Sequence, residues 1–151
     1  MQPPSTLDPV ARAEAQRTLA SRVERLLSGP SPAAYTRVDQ RVEAASPLSW
    51  LAAQAGAPRL YWHARDDGER TAALGTALAV SGDTPDLAPL QRALDALGPD
   101  ARLYGGLRFD PQRPPDGTWS LDDAWRFTLP RFTYTLHADG TATLSVHLCP
   151  S

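Results

Sequence analysis

Three histidines, one cysteine and two Asp-Asp pairs are the residues of this chain whose types could carry chemistry. His63, Asp66 and Asp67 would bring an imidazole and two carboxylates close together, a donor set suited to a divalent cation. A histidine followed by Asp-Asp-Gly, however, reads first as strand end and turn, because Asp and Gly supply turn conformations. His137 and His147 fall near opposite ends of one expected hairpin, too far apart to share a tetrahedral site. Asp122 and Asp123, after Ser120, read as the first turn of a short helix, where acids favour the dipole. Cys149 has no partner for an internal disulfide, which suits a reducing compartment, and reads as a free buried thiol. No catalytic, cofactor-binding or metal-binding residue is assigned.

What the chain lacks is equally informative. All fifteen of its Lys+Arg residues are arginine. No side-chain amine can therefore act as a general base, a Schiff-base partner or a phosphate-loop lysine, and arginine stays protonated. There is no Gly-x-Ser-x-Gly, no supported Cys–His pairing and no phosphate loop. Gly105-Gly106 precedes neither Lys-Ser/Thr nor a capped helix, so it is a weak phosphate cradle. With a net charge of −2 and arginines scattered among acids, nothing draws nucleic acid or an anionic membrane. No apolar run resembles a signal peptide or spans a bilayer, so a cytoplasmic location is expected. At 151 residues, 42% hydrophobic and 21% charged, the chain fits one domain with a core of its own.

The elements follow from punctuation and period. Residues 1–7 are expected to be a flexible arm, with the domain running over 8–151. Asp8-Pro9 opens a helix whose Val10, Ala13, Ala20, Val23, Leu26 and Leu27 share a face, and Gly29-Pro30 ends it. Ala34 to Ala44 alternates as a strand, and Ser46-Pro47 opens a short helix that closes near Gly56. Arg59 to Arg65 is a second strand, with Leu60 and Trp62 opposite Tyr61 and His63. Thr71 to Ser81 is expected to be one central strand, with Leu74, Thr76, Leu78 and Val80 on a large-residue face and Ala73, Gly75, Ala77 and Ala79 on a small-residue face. Thr84-Pro85 then caps a helix carrying Leu87, Leu90, Ala93, Leu94 and Leu97, stopped by Gly98-Pro99.

The chain is organised around Leu103 to Asp110 and its partner Trp119 to Phe132. Two adjacent glycines in an alternating strand cost stability and are tolerated where the backbone bulges or another segment comes close. The first strand places Leu103, Leu107 and Phe109 on one side, and Pro111 to Gly117 is a loop. Apolar positions 127 and 129 change parity to 132, 134 and 136, which predicts a bulge at Pro130. A three-residue loop, Ala138-Asp139-Gly140 with Gly140 left-handed, pairs even with even positions. It sets Phe132 against Val146, Tyr134 against Leu144 and Leu136 against Ala142. The fold class is α+β, a mainly antiparallel sheet with two to three packed helices.

Several segments, in order, resemble isochorismate synthases, the chorismate-utilising enzymes that feed menaquinone or catechol-siderophore biosynthesis. They are Ser46-Pro47-Leu48-Ser49-Trp50-Leu51, Tyr61-Trp62-His63-Ala64-Arg65-Asp66 with Ala73-Leu74-Gly75, Tyr104-Gly105-Gly106-Leu107-Arg108-Phe109-Asp110, and Trp125-Arg126-Phe127-Thr128-Leu129-Pro130-Arg131-Phe132. Anthranilate and aminodeoxychorismate synthases share the wider fold but carry Leu-Leu-Glu-Ser near the Ser46–Gln54 position, which is not found here. The resemblance covers about Ser46 to Leu148 and implies the amino-terminal part of the chorismate-utilising fold.

Family enzymes convert chorismate to isochorismate with Mg²⁺, a lysine base, a glutamate acid and further glutamates on the metal, all in a downstream portion. None of these residues carries over, so the resemblance implies no catalytic residue and no cofactor in this chain. It implies instead a scaffold inactive by itself, whose partner is the chorismate-binding catalytic portion. A stand-alone binding module, and a homodimer formed through an exposed sheet, are the alternatives.

Overall fold

The computed structural model describes residues 9–28, 35–56, 58–66, 68–110 and 123–149. The chain divides into two compact units. One runs up to Gly75 and resumes at Arg131, and the other is Thr76–Pro130. Among the described residues, antiparallel sheets with three helices make the fold α+β, as the sequence predicts.

The first unit contains helix α1 (Pro9–Ser28), strand β1 (Thr36–Val42), helix α2 (Pro47–Ala52) and strands β2 (Arg59–His63) and β3 (Arg70–Leu74). The second unit contributes β4 (Leu78–Gly82), α3 (Ala88–Leu97), β5 (Tyr104–Leu107) and β6 (Trp125–Leu129). The chain then returns to the first unit as β7 (Phe132–Leu136) and β8 (Ala142–Leu148). The first sheet has the order β1-β8-β7-β3-β2 and the second β4-β6-β5.

Local chemistry sets most boundaries. Ser46 caps α2 by accepting a hydrogen bond from the Ser49 amide at 3.4 Å, with Pro47 in the first turn where no amide is needed. Trp50 of α2 stacks on Tyr134 of β7 with ring centroids 5.5 Å apart. The Tyr134 hydroxyl accepts from the Ala45 amide at 2.6 Å, tying the β1–α2 connection to the sheet. The β7–β8 hairpin has the expected register, Phe132 with Val146, Tyr134 with Leu144 and Leu136 with Ala142. Its loop is 138–140, closed by a His137 amide to Thr141 carbonyl bond of 2.8 Å, with Gly140 at φ +82°.

Four expectations need correction. Thr71 to Ser81 is two strands, because Gly75 turns to φ +70°, where its amide bonds the Pro58 carbonyl at 2.9 Å. β3 pairs with β2 and β7 while β4 pairs with β6. Thr71, Ala72 and Ala73 are consecutive and all buried, so β3 has no solvent face, whereas β4 keeps its alternation. Pro130 marks a strand end rather than a bulge: β6 stops at Leu129 and β7 begins at Phe132 in the other sheet.

The third helix begins at Ala88, not at Pro85. The carbonyls of Thr84 and Asp86 both accept the Trp125 indole N–H, at 2.9 and 3.1 Å, and the Asp86 carboxylate accepts the Ala88 amide at 2.9 Å. Those bonds hold 84–86 outside the helix. Asp123 is not helical either. It sits in a bend and pairs with Arg126 at 2.7 Å. Asp8, Gly29, Pro30, Asp67, Asp122 and the expected loop over Pro111 to Gly117, with Trp119 beyond it, lie outside the described residues.

Candidate functional site

Opposite residues of an antiparallel pair share a face, so strand register decides which side chains can meet. β1 pairs with β8 so that Arg37 faces His147 and Asp39 faces Ser145; on the far side of β8, Thr133 faces Ser145. One face of the first sheet therefore gathers Arg37, Asp39, Thr133, Ser145 and His147. Thr133, Ser145 and His147 are buried, as is Thr71 two strands away.

Burial obliges each polar atom to find a partner. The His147 ring has two. Nδ1 lies 2.8 Å from the Tyr35 hydroxyl and Nε2 lies 3.2 Å from Thr133 Oγ1, and Tyr35 also stacks on the ring with centroids 5.9 Å apart. A neutral imidazole has one N–H and one lone pair, so one of these hydroxyls donates and the other accepts. Burial first, then the Arg37 charge, push the ring toward neutrality; Asp39 opposes them, Arg131 adds to them, and the pKa falls to about 4. Asp39 itself is raised by burial but lowered further by bonds from Ser145 and Arg37 and by the Arg37 charge, so it stays ionised. Arg37 Nε reaches its carboxylate at 2.7 Å.

Arg131 closes the row where the chain re-enters this unit. Its amide donates to the Gly75 carbonyl at 3.2 Å, its carbonyl accepts the His147 amide at 2.9 Å, and its Nη1 donates to the His147 carbonyl at 3.2 Å. A Cβ on Gly75 would stand 3.3 Å from Arg131 Cβ, so both the positive φ and the close approach favour glycine there.

Chemically this row is a lock, its polar groups spent on one another. His147 is neutral at pH 7 with both nitrogens engaged, leaving no lone pair for a proton or a metal. Among the described residues no buried side-chain N or O lacks a partner, and no three His, Cys, Asp or Glu converge as metal ligands. A shallow, open depression on α1, lined by Glu14, Arg17, Thr18, Ser21 and Arg25, is helix surface. Its Arg17 and Arg25 side chains bond back to the Ala13 and Ser21 carbonyls.

The residues singled out from the sequence do not come together. His63 and Asp66 are exposed at the β2 end and its turn. His137 bonds Thr143 Oγ1 at 2.9 Å and approaches Glu69 at 3.5 Å. Thr143 and His147 are four strand residues apart, roughly 13 Å, so the two histidines serve separate partners. Burial pushes the Cys149 thiol up in pKa, with Arg131 opposing it, which leaves a protonated, unreactive group. Sequence reasoning missed the Tyr35–His147–Thr133 link: its Thr133 half lies within the β7–β8 hairpin, but its Tyr35 half depends on the β1–β8 pairing, which no local pattern announces.

In the second unit, Leu107, Trp125 and Gly82 lie on one face, with Gly105, Phe127 and Val80 beside them. Trp125 lies over Gly82, where a Cβ would come within 2.7 Å of its ring. Gly105 likewise permits the close approach of β6, since a Cβ there would meet Phe127 Cα at 2.6 Å, whereas Gly106 faces open space. Trp125 and Leu129 are buried. Helix α3 packs against β4, the strand at the opposite edge from β5. At β5 the expected apolar side is not covered: Leu107 is 59% exposed and Phe109 is fully exposed.

These two antiparallel sheets with their three helices have the fold of part of a chorismate-utilising enzyme. Among solved structures the chain is similar to MenF, the menaquinone-specific isochorismate synthase from Escherichia coli, with a TM-score of 0.60 and 28% identity. The likeness covers 89% of this chain and 29% of that one, so the chain spans less than a third of its length. No family model and no curated protein matches the chain. Among the described residues, no helix is long and apolar enough to cross a membrane.

Proposed function

We propose that this chain is the amino-terminal scaffold of an isochorismate synthase, serving the conversion of chorismate to isochorismate for menaquinone or siderophore biosynthesis without catalysing it alone. The observation that carries this reading is the likeness to MenF over 89% of this chain, joined to the closed polar row around His147. A side-chain network with every partner satisfied rigidifies a sheet and offers nothing to a substrate. With fifteen Lys+Arg residues that are all arginine, the chain has no lysine to activate water.

The partner in this reading is the chorismate-binding portion, joined in one polypeptide or supplied separately in the cytoplasm. In this reading the Mg²⁺ expected of the family is held by that portion. The chain's own task is positional: its first sheet, locked by Tyr35, Thr133 and His147, is a firm support for that portion.

The test is complementation. The catalytic portion of an isochorismate synthase from the same genome, lacking this layer, is assayed with chorismate and Mg²⁺ before and after addition of the purified chain. At least a tenfold rise in isochorismate formation is expected; absence of both binding and rescue would count against the proposal.

A further inference from the structure

A sheet edge is a template for a further strand unless something blunts it. β1 is an edge strand of the five-stranded sheet, and the pairing of β8 decides which of its backbone groups turn outward. The His147 amide donates to the Arg131 carbonyl, so Thr143, Ser145 and His147 spend their backbone bonds on β7. The residues between them bond β1. Arg37, Asp39 and Arg41, opposite His147, Ser145 and Thr143, therefore direct their N–H and C=O groups away from the sheet.

Helix α1 meets that edge. Arg22 Nη1 donates to the Asp39 carbonyl at 2.8 Å, which occupies an outward acceptor at the middle of the strand. α1 packs against β1, and Leu19, Val23 and Leu26, at helical spacing, are half-buried. No described side chain of α1 is fully buried. A helix in water holds mainly through its packed face. α1 is thus fastened by a narrow seam and a guanidinium, whereas β1 is paired to β8 from Thr36 to Val42. Elements with so little buried contact open before the rest.

We infer that α1 is a strap that closes the β1 edge, and that its release lets two copies of this chain pair through β1 as an antiparallel ribbon. Charge complementarity points to a second copy as the occupant. With Val38 or Gln40 on the two-fold axis, Asp39 of each copy lies opposite an arginine of the other, Arg37 or Arg41. Opposite charges across strands attract, whereas Asp39 on the axis would oppose like charges throughout. The complementary registers also let outward backbone groups exchange bonds symmetrically, as an isologous contact requires. The contact is smaller than a standard interface, so the pairing is weak and dependent on concentration. This inference is independent of the scaffold reading and would hold for a stand-alone module as well.

Sedimentation velocity of the 16.3 kDa chain tests it. The parent stays monomeric up to about 1 mM. Arg22→Ala with Val23→Asp cuts the clasp and puts a charge into the seam, so the mass climbs toward the doubled value over the same range. Two further variants are made in that released chain, at residues whose side chains are exposed. Asp39→Arg makes the edge basic, and Arg37→Asp with Arg41→Asp makes it acidic; each alone is monomeric, and the two mixed associate. Should the released chain fail to fold, amide exchange in the parent decides: α1 exchanges at least about tenfold faster than β8. A parent that dimerises unaided, a folded released chain that stays monomeric, charge variants that associate unmixed, or α1 amides no faster than those of β8 overturns the inference.

Discussion

In the five-stranded sheet the buried polar side chains among the described residues find partners, Thr133 and Tyr35 on His147, while the exposed Arg37 reaches Asp39 and Ser145 at the margin. In the three-stranded sheet the reverse happens, and apolar side chains run out past the last covering element to Leu107 and Phe109. The first region satisfies its own chemistry; the second has a finished centre at Trp125 and Leu129 and an unfinished rim. A closed polar network makes poor catalysis and good support. An uncovered apolar rim makes poor support and a good contact.

The sharpest way to break this contrast is at the centre of the smaller sheet. Trp125→Ala removes the indole that lies over Gly82 and bonds the Thr84 and Asp86 carbonyls. It should cost about 3–5 kcal/mol, and amide exchange should accelerate in Thr76–Pro130 more than in the first unit. Equal acceleration in both would mean that the two regions do not differ as described.

Next in size is an acid effect confined to the larger sheet. His147 has a folded pKa of about 4 against an ordinary 6.5. The unfolded chain therefore binds more protons between these values, and stability falls as pH drops from 6.5 toward 4. The loss is on the order of 3 kcal/mol. Asp39, whose pKa is also lowered, adds to it only below the ordinary carboxylate range. Urea unfolding at pH 7 and pH 4.5 measures the difference, and His147→Gln should flatten most of it. A variant as acid-sensitive as the parent would show that the ring is not the group responsible.

Smaller still is the effect of Gly75→Ala, which forces a side chain into φ +70° against Arg131 Cβ. About 1–2 kcal/mol of destabilisation is expected, visible in the denaturation midpoint. Smallest are the changes at the rim. Gly106→Ala meets open space and should leave stability unchanged or raise it by about 0.4–1 kcal/mol, whereas Gly105→Ala should destabilise through the β6 backbone. A larger loss at Gly106 than at Gly105 would show that the rim is built otherwise.

The two regions also differed in how much could be read in advance. The β7–β8 hairpin was legible to the residue, because Asp139-Gly140 and the parity of 132, 134 and 136 jointly admit one register. The start of α1 was legible from Pro9, its end from Gly29-Pro30, and the cap of α2 from Ser46-Pro47. The break at Gly75 was not, because Leu74, Leu78 and Val80 keep one parity across it and nothing local reports that the chain changes sheet. The start of α3 failed for a similar reason: Thr84-Pro85 is a good cap by type, but Trp125, 40 residues further on, takes the backbone that the cap would need. The His147 network needs strands far apart in sequence to be paired first. The rim was legible only as an apolar side; that Leu107 and Phe109 are left exposed on it is a fact of the three-dimensional arrangement.

A support whose reacting groups lie in another portion should be inert toward substrate by itself. The decisive assay incubates the purified chain with chorismate and Mg²⁺ and follows isochorismate by chromatography. No product above the uncatalysed background is the predicted result, at any chain concentration. Product formation proportional to the chain, lost in no preparation of it, would contradict the claim.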